Sequence, residues 1–466
     1  QDQATSANID TTALTAYASG GTASKIYQIT TPYLIADVAK LKFVQSADVM
    51  TITHAGYAAR ELSRTAHATW TLTVIIFAPK IAHPTGEVLT VDGINNNVTY
   101  RYQVTTIATE TFEESLPGLN NVSQVITGVT QANPAVVTSA AHGYSNNDEV
   151  QLDQITGMTE LNGRRFIVAN VAANTFELRG ENSTAYTAYA AAGISRLTFV
   201  RTILGTTAPD NTVTWTAITG AEKYSVYREK NGVFGFLGNT VVPTFKDANI
   251  TPDLVTGPPK ARNPFLAAGT YPGAVTYYEQ RRVFGGSTNA PDTSFYSVTG
   301  SHSNFSVTSP SQVDDAITAT LSALEVNEIR HYVPGNDLIV FTSGSEWRNN
   351  SGSDASFQAK TLRQKPQSAW GSGHHAPVTV GSTIIYAQEN NAQVRSFGFS
   401  LQIDGYTGTD MNLLAGHIFA TSTLTDWAFA RSPGQVIHMV LADGTAAAMT
   451  FHQEQEIIAW TRWDTK

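Results

Sequence analysis

Few residues in this 466-residue chain combine a reactive type with a spacing that would let them act together. His374 and His375 could ligate a metal, but adjacent side chains on an extended segment point to opposite faces and do not share one ion. Asp314-Asp315 offers carboxylates to calcium, yet an acidic pair without further oxygen ligands reads as a solvated loop. Ser343-Gly344-Ser345 lacks the surround of a nucleophile elbow and reads as a hairpin turn. Asp92-Gly93 with Asn95-Asn96-Asn97 reads as another turn. There is no phosphate loop, dinucleotide fingerprint or metal-binding helix motif. Cysteine is absent, which removes thiolate nucleophiles, zinc–thiolate sites and disulfides. Carboxylates for glycoside cleavage can come from distant parts of a chain, but no aromatic–carboxylate cluster marks them here. The expectation is a protein with no catalytic residue, no metal and no cofactor.

The elements that would position any site are short strands. Only 14% of residues are charged, while Thr, Val, Tyr, Gly and Asn are plentiful. The formal net charge of −9 argues against a nucleic-acid clamp, which needs clustered Lys and Arg. The longest apolar run, Leu72 to Ala78, is too short to span a membrane and reads as a buried strand. The chain opens on Gln1 and shows no secretory pattern.

Between residues 271 and 463 a motif recurs. Gly335, Gly381 and Gly434 each lead into an apolar strand, a small polar turn and a returning strand. The glycines stand 46 and 53 residues apart, close to one four-stranded propeller blade per repeat. A similar strand–turn–strand follows Asp48, which places a first blade and a loose N-terminal arm in 1–78. Residues 79–121, with Tyr100 and Tyr102 alternating, read as fibronectin-III-like strands. Residues 198–263 read as a second such sandwich, with Trp215, Tyr224 and Tyr227 in its core. Residues 122–197 alternate short strands with glycine turns and read as a small six-stranded barrel. After the stiff linker around Pro258-Pro259 and Pro264, residues 264–466 carry the remaining blades, and Asp314 to Ile329 reads as strand rather than helix. The fold class expected is all-β: a discontinuous β-propeller with an inserted fibronectin-III-like β-sandwich and a small β-barrel.

The barrel stretch resembles the first catalytic-cysteine half-domain of ubiquitin-activating enzymes at His142-Gly143-Tyr144, Asp148-Glu149-Val150, Gly157 to Gly163 and Asn174 to Leu178. It has no cysteine, so the resemblance implies a protein-contact module and no ubiquitin chemistry. Three dispersed clusters carry a wider resemblance. They are Pro32-Tyr33 with Gln45 to Met50, Tyr278 to Gly286 with Asn304-Phe305, and Glu454-Gln455-Glu456 before Ala459-Trp460. In that order they resemble tail nozzle proteins, of the tail-tubular-B type, from short-tailed double-stranded-DNA phages. The resemblance implies a virion tail protein made in the bacterial host cytoplasm. It implies a homo-hexameric ring that docks adaptor and portal-proximal proteins and carries tail fibres. Genomic DNA would pass through its lumen without sequence-specific binding. In a bacterial product the Asn-x-Ser/Thr sites at Asn97, Asn121, Asn182 and Asn304 carry no weight. A fibre-type glycan-binding protein is the alternative, and a polysaccharide-degrading propeller enzyme a third reading. Ser343, Gly344, Ser345, Asp404 and Asp410, in small polar loops, are the candidates for channel or inter-subunit contact.

Overall fold

Segments rich in β-branched and aromatic residues, cut by Gly, Asn and Asp, form strands throughout a computed structural model of the chain. It describes residues 28–463 except 67, 93–97, 205–209, 324, 353–355, 433 and 456. The expected arm at 1–24 and the Gly93–Asn97 part of the expected turn lie outside the described residues. Among the described residues there is no α-helix, only short 3-10 turns such as Ile35–Lys40. The protein is all-β, and no helix of it is long and apolar enough to cross a membrane.

The chain divides into two compact units, one of residues 1–76, 264–297 and 317–466, the other of 77–263 and 298–316. The first unit holds five four-stranded antiparallel meanders at 42–74, 274–320, 329–368, 378–407 and 424–463. Each runs in simple sequence order, as hairpin turns dictate. The recurrent glycines stand before the second strands Leu338–Thr342, Thr383–Ala387 and Val436–Leu441, the first two of which are buried on both faces. Such strands need a neighbouring sheet on each side. Val340, Trp347 and Leu338 pack with Val283 and Tyr296 of the preceding meander. Phe341 packs with Tyr386 and Phe397 of the following one, and Ile385 and Val394 with Ile437 and Met449 of the last. The first meander meets the second, about 200 residues later in sequence, through Glu61 and Arg282 at 2.7 Å. Between the second and third meanders Gly286, at φ +67°, lets backbone touch backbone: a Cβ on it would lie 2.2 Å from the Ile329 carbonyl oxygen. As expected, 314–329 is strand-forming, with Ile317–Thr320 the outermost strand of the second meander.

Two readings change. The apolar run from Leu72 enters Thr69–Val74, the outer edge strand of its sheet, so Val74 and Ile76 are exposed rather than buried. Asp315 is buried, not solvated, because it accepts hydrogen bonds from Thr308 N (3.0 Å), Thr308 Oγ1 (2.7 Å) and Gln312 N (2.9 Å).

In the second unit, the two stretches read as separate fibronectin-like pieces interleave in one pair of sheets. Val98–Ala108 lies between Val200–Leu204 and Ala221–Lys230, and Thr85–Asp92 pairs with Asp210–Thr216. Tyr102, Val104, Trp215, Tyr224 and Val226 share one core, so the aromatics read as core residues are core residues. The barrel stretch forms a seven-stranded sheet, one strand more than expected. Ser123–Val125 bonds one edge of it and Gly128–Val129 the other, so the sheet curls round upon itself. Val137, Leu152, Phe166, Val168, Phe176 and Leu178 fill the interior.

Candidate functional site

The innermost strand of each meander is an edge strand, so side chains from both of its faces border the space beside it. The innermost strands or their lead-in segments in all five meanders line a single cavity of about 750 Å³. Its walls are mixed, the apolar part made by Ile35, Val38, Phe43, Val275, Val333, Pro377 and Trp427. Its charged and titratable lining is Lys42 from the first meander, Arg330 and His331 from the third, His374 and His375 before the fourth, and Asp426 from the fifth.

These groups are fixed by backbone carbonyls. The Lys42 ammonium donates to the His374 carbonyl, and the Arg330 guanidinium donates to the Ser372 carbonyl at 2.7 Å. Arg330 turns the rest of its charge away towards Glu389 (3.1 Å) and Glu328 (3.4 Å). A ring nitrogen of His331 bonds the Gly373 carbonyl at 3.1 Å, and one of His375 the Leu424 carbonyl at 3.1 Å. Trp427 Nε1 donates to the Ala376 carbonyl at 2.8 Å and so holds the bent 372–377 segment against the fifth meander.

Burial disfavours the charged forms of Lys42 and of the three histidines. It lowers Lys42 to a pKa of about 8, helped by the Arg330 charge and opposed by Glu328. It lowers His374 to about 4, with Arg330 and Lys42 adding to the effect. His331 and His375 are lowered by burial as well. Near neutral pH the cavity therefore presents three neutral imidazoles and a half-buried ammonium beside the Arg330 guanidinium. No group of three metal-ligating side chains converges among the described residues.

The sequence reading set His374 and His375 on opposite faces. Both border the cavity, because residues 374 and 375 form a bend, where the alternation of a strand does not hold. Lys42, Arg330 and Trp427 were missed. They lie hundreds of residues apart, and no local spacing marks them.

The loop candidates lie elsewhere. Ser343-Gly344-Ser345 is the turn between the second and third strands of the third meander, and its hydroxyls face inward. Thr342 Oγ1 accepts from Ser345 N at 2.9 Å, and Ser345 Oγ accepts from Trp347 Nε1 at 2.8 Å. Asp404 is 86% exposed at a hairpin turn, beside the exposed Leu401 and Ile403. It rims a second, polar hollow of about 540 Å³ with Asp337, Arg348, Asn350, Arg363 and Lys365. Asp410 is half-buried and accepts from Asn412 N at 3.0 Å. The turn candidates and Asp404 are thus not brought together with the cavity.

Residues 132–198 match the family described as the ubiquitin-activating enzyme E1 FCCH domain. No curated protein matches the chain. Among solved structures, a protein from Lactobacillus plantarum is similar over 54% of this chain and 67% of its own, at 11% identity and a TM-score of 0.28. The phage phi92 endosialidase is similar over 78% of this chain and 62% of its own, at 12% identity and a TM-score of 0.17. Superpositions this loose do not define a shared fold.

Proposed function

We infer that this chain is a structural component of a phage virion, a nozzle-type protein of a short tail, and performs no bond-breaking. The observation that supports it most is the split scaffold. A first meander is joined to its neighbour through Glu61 and Arg282 although the sandwich and barrel lie between them in sequence. The residues that carry the family resemblance are scaffold residues. Gln45 to Met50 makes the first hairpin, and Tyr278 to Gly286 makes the inner hairpin of the second meander, where Arg281 and Arg282 are buried. Copies of such a scaffold around an axis form a closed ring by ordinary cyclic symmetry. In this reading six copies surround the DNA exit channel, docked to adaptor and portal-proximal proteins and carrying fibres. An acidic wall lets DNA slide, because it does not hold phosphates. Mass photometry with electron microscopy of the purified protein tests this. A six-fold ring is expected, and a chain that stays monomeric at all concentrations and is absent from tails overturns it.

The alternative of a glycan-binding protein has the polar hollow beside Asp404 in its favour, since Asn350, Asp337 and Arg348 offer planar hydrogen-bonding groups. Glycan binding that is lost in Asn350→Ala would select it.

A further inference from the structure

The cavity described above holds an energetic imbalance. Lys42 Nζ has one carbonyl partner, and no carboxylate among the described residues pairs with it. A buried charge is costly unless an opposite charge meets it. Arg330, the other cation of the wall, has two carboxylates of its own. Apolar side chains, among them Val275, Val333 and Trp427, line the same cavity as Lys42. The volume, about 750 Å³, is that of a small-molecule pocket.

The geometry points to a binding site for a small organic monocarboxylate, its carboxylate on the Lys42 ammonium and its apolar body against Val275, Val333 and Trp427. Asp426 lines the same cavity and bears on His375, so a second negative charge on the ligand is repelled. This favours a monoanion over a phosphate dianion. The site stands apart from any role in a tail and does not depend on that reading.

The ammonium must be protonated to bind, so affinity is linked to pH. The groups facing Lys42 are Arg330, Glu328 and His331 of the third meander, His374 and His375, and, from its own side, Lys40, Asp37 and His54. The four histidines are all held below their ordinary range by burial, so none of them changes charge above pH 7. The alkaline limb therefore belongs to Lys42.

The test is calorimetric titration of the whole protein with phenylacetate, whose carboxylate stays ionised at and above pH 7, with phenylacetamide and inorganic phosphate as comparisons. Phenylacetate is expected to bind, with affinity falling about tenfold per pH unit above the Lys42 pKa of about 8. Phenylacetamide and phosphate are expected to bind at least about tenfold more weakly, the cost of the missing charge pair or of Asp426 repulsion. Lys42→Met is expected to lose at least about tenfold at pH 7 and to flatten the pH profile. Equal binding of phenylacetamide, an unchanged Lys42→Met, no alkaline limb in the unaltered protein, or no heat with phenylacetate overturns the proposal.

Discussion

Two charges in this molecule, one buried and one half-buried, are treated in opposite ways. Asp148, which leads into the strand Glu149–Asp153 of the curled sheet, is fully buried and meets Arg201 at 3.0 Å and Arg101 at 3.3 Å, both from sandwich strands, and also accepts from Ser145 N at 2.8 Å. Lys42, on the cavity of the five meanders, has a single carbonyl. The surroundings differ likewise. Curling one sheet brings its inward side chains into contact across a short distance, and Leu152, Phe166 and Phe176 leave no space between them for a ligand. Gathering five sheets by their innermost strands leaves a cavity between them instead, although Lys42, His375 and Trp427 each reach a carbonyl of a neighbouring meander or its lead-in. A filled interior demands that each buried charge be paired within the fold. An open one can leave a charge for something else to pair, and that is where a functional site is to be sought.

Four substitutions can break or sharpen this contrast. The largest effect is expected in the filled core: Phe176→Ala should destabilise the curled sheet by about 3–5 kcal/mol, read from hydrogen exchange of the Val150 and Leu152 amides. Phe43→Ala, at the cavity and 66% exposed, should change stability by less than about 0.5 kcal/mol. Equal losses at the two would show that the cavity is as tightly packed as the sheet interior. Next, Asp148→Ala leaves two arginines without their shared partner and should cost about 3 kcal/mol by the same measurement. A loss under about 1 kcal/mol would mean that solvent already screens those pairs.

The effect expected at Lys42 depends on pH. Its folded pKa of about 8 lies below its ordinary value of 10.5, so between those limits the unfolded chain holds more protons than the folded one. Stability should therefore rise with pH across that window, by on the order of 2–3 kcal/mol in all. In Lys42→Met the penalty is absent at every pH and this rise should vanish. A rise that persists in the variant would assign it to another group.

Much of the scaffold was legible before any coordinates. The glycine that precedes the apolar second strand in three of the five sheets is a local signal, and strands buried on both faces carry unbroken apolar runs, so the repeat was legible although the number of sheets was not. Tyr102, Trp215 and Tyr224 announced themselves as core by alternation. What failed was pairing and rank. Leu72 to Val74 has the composition of a central strand but sits at an edge, since composition records propensity and not the number of neighbours. The strands at 85–108 carry no local mark that their partners lie beyond the curled sheet, at 200–240. At His374-His375 the alternation expected of an extended strand does not apply, because the two residues form a bend.

By itself, then, the sequence determined the element types, the repeat, the absence of thiol chemistry and the identity of the curled module, because each depends on residues near one another in the chain. The tertiary structure alone decided which strands are edges, which pieces of sandwich belong together and which five segments surround a cavity. Those outcomes depend on contacts between residues as far apart as Lys42 and Trp427, brought side by side only when the sheets pack.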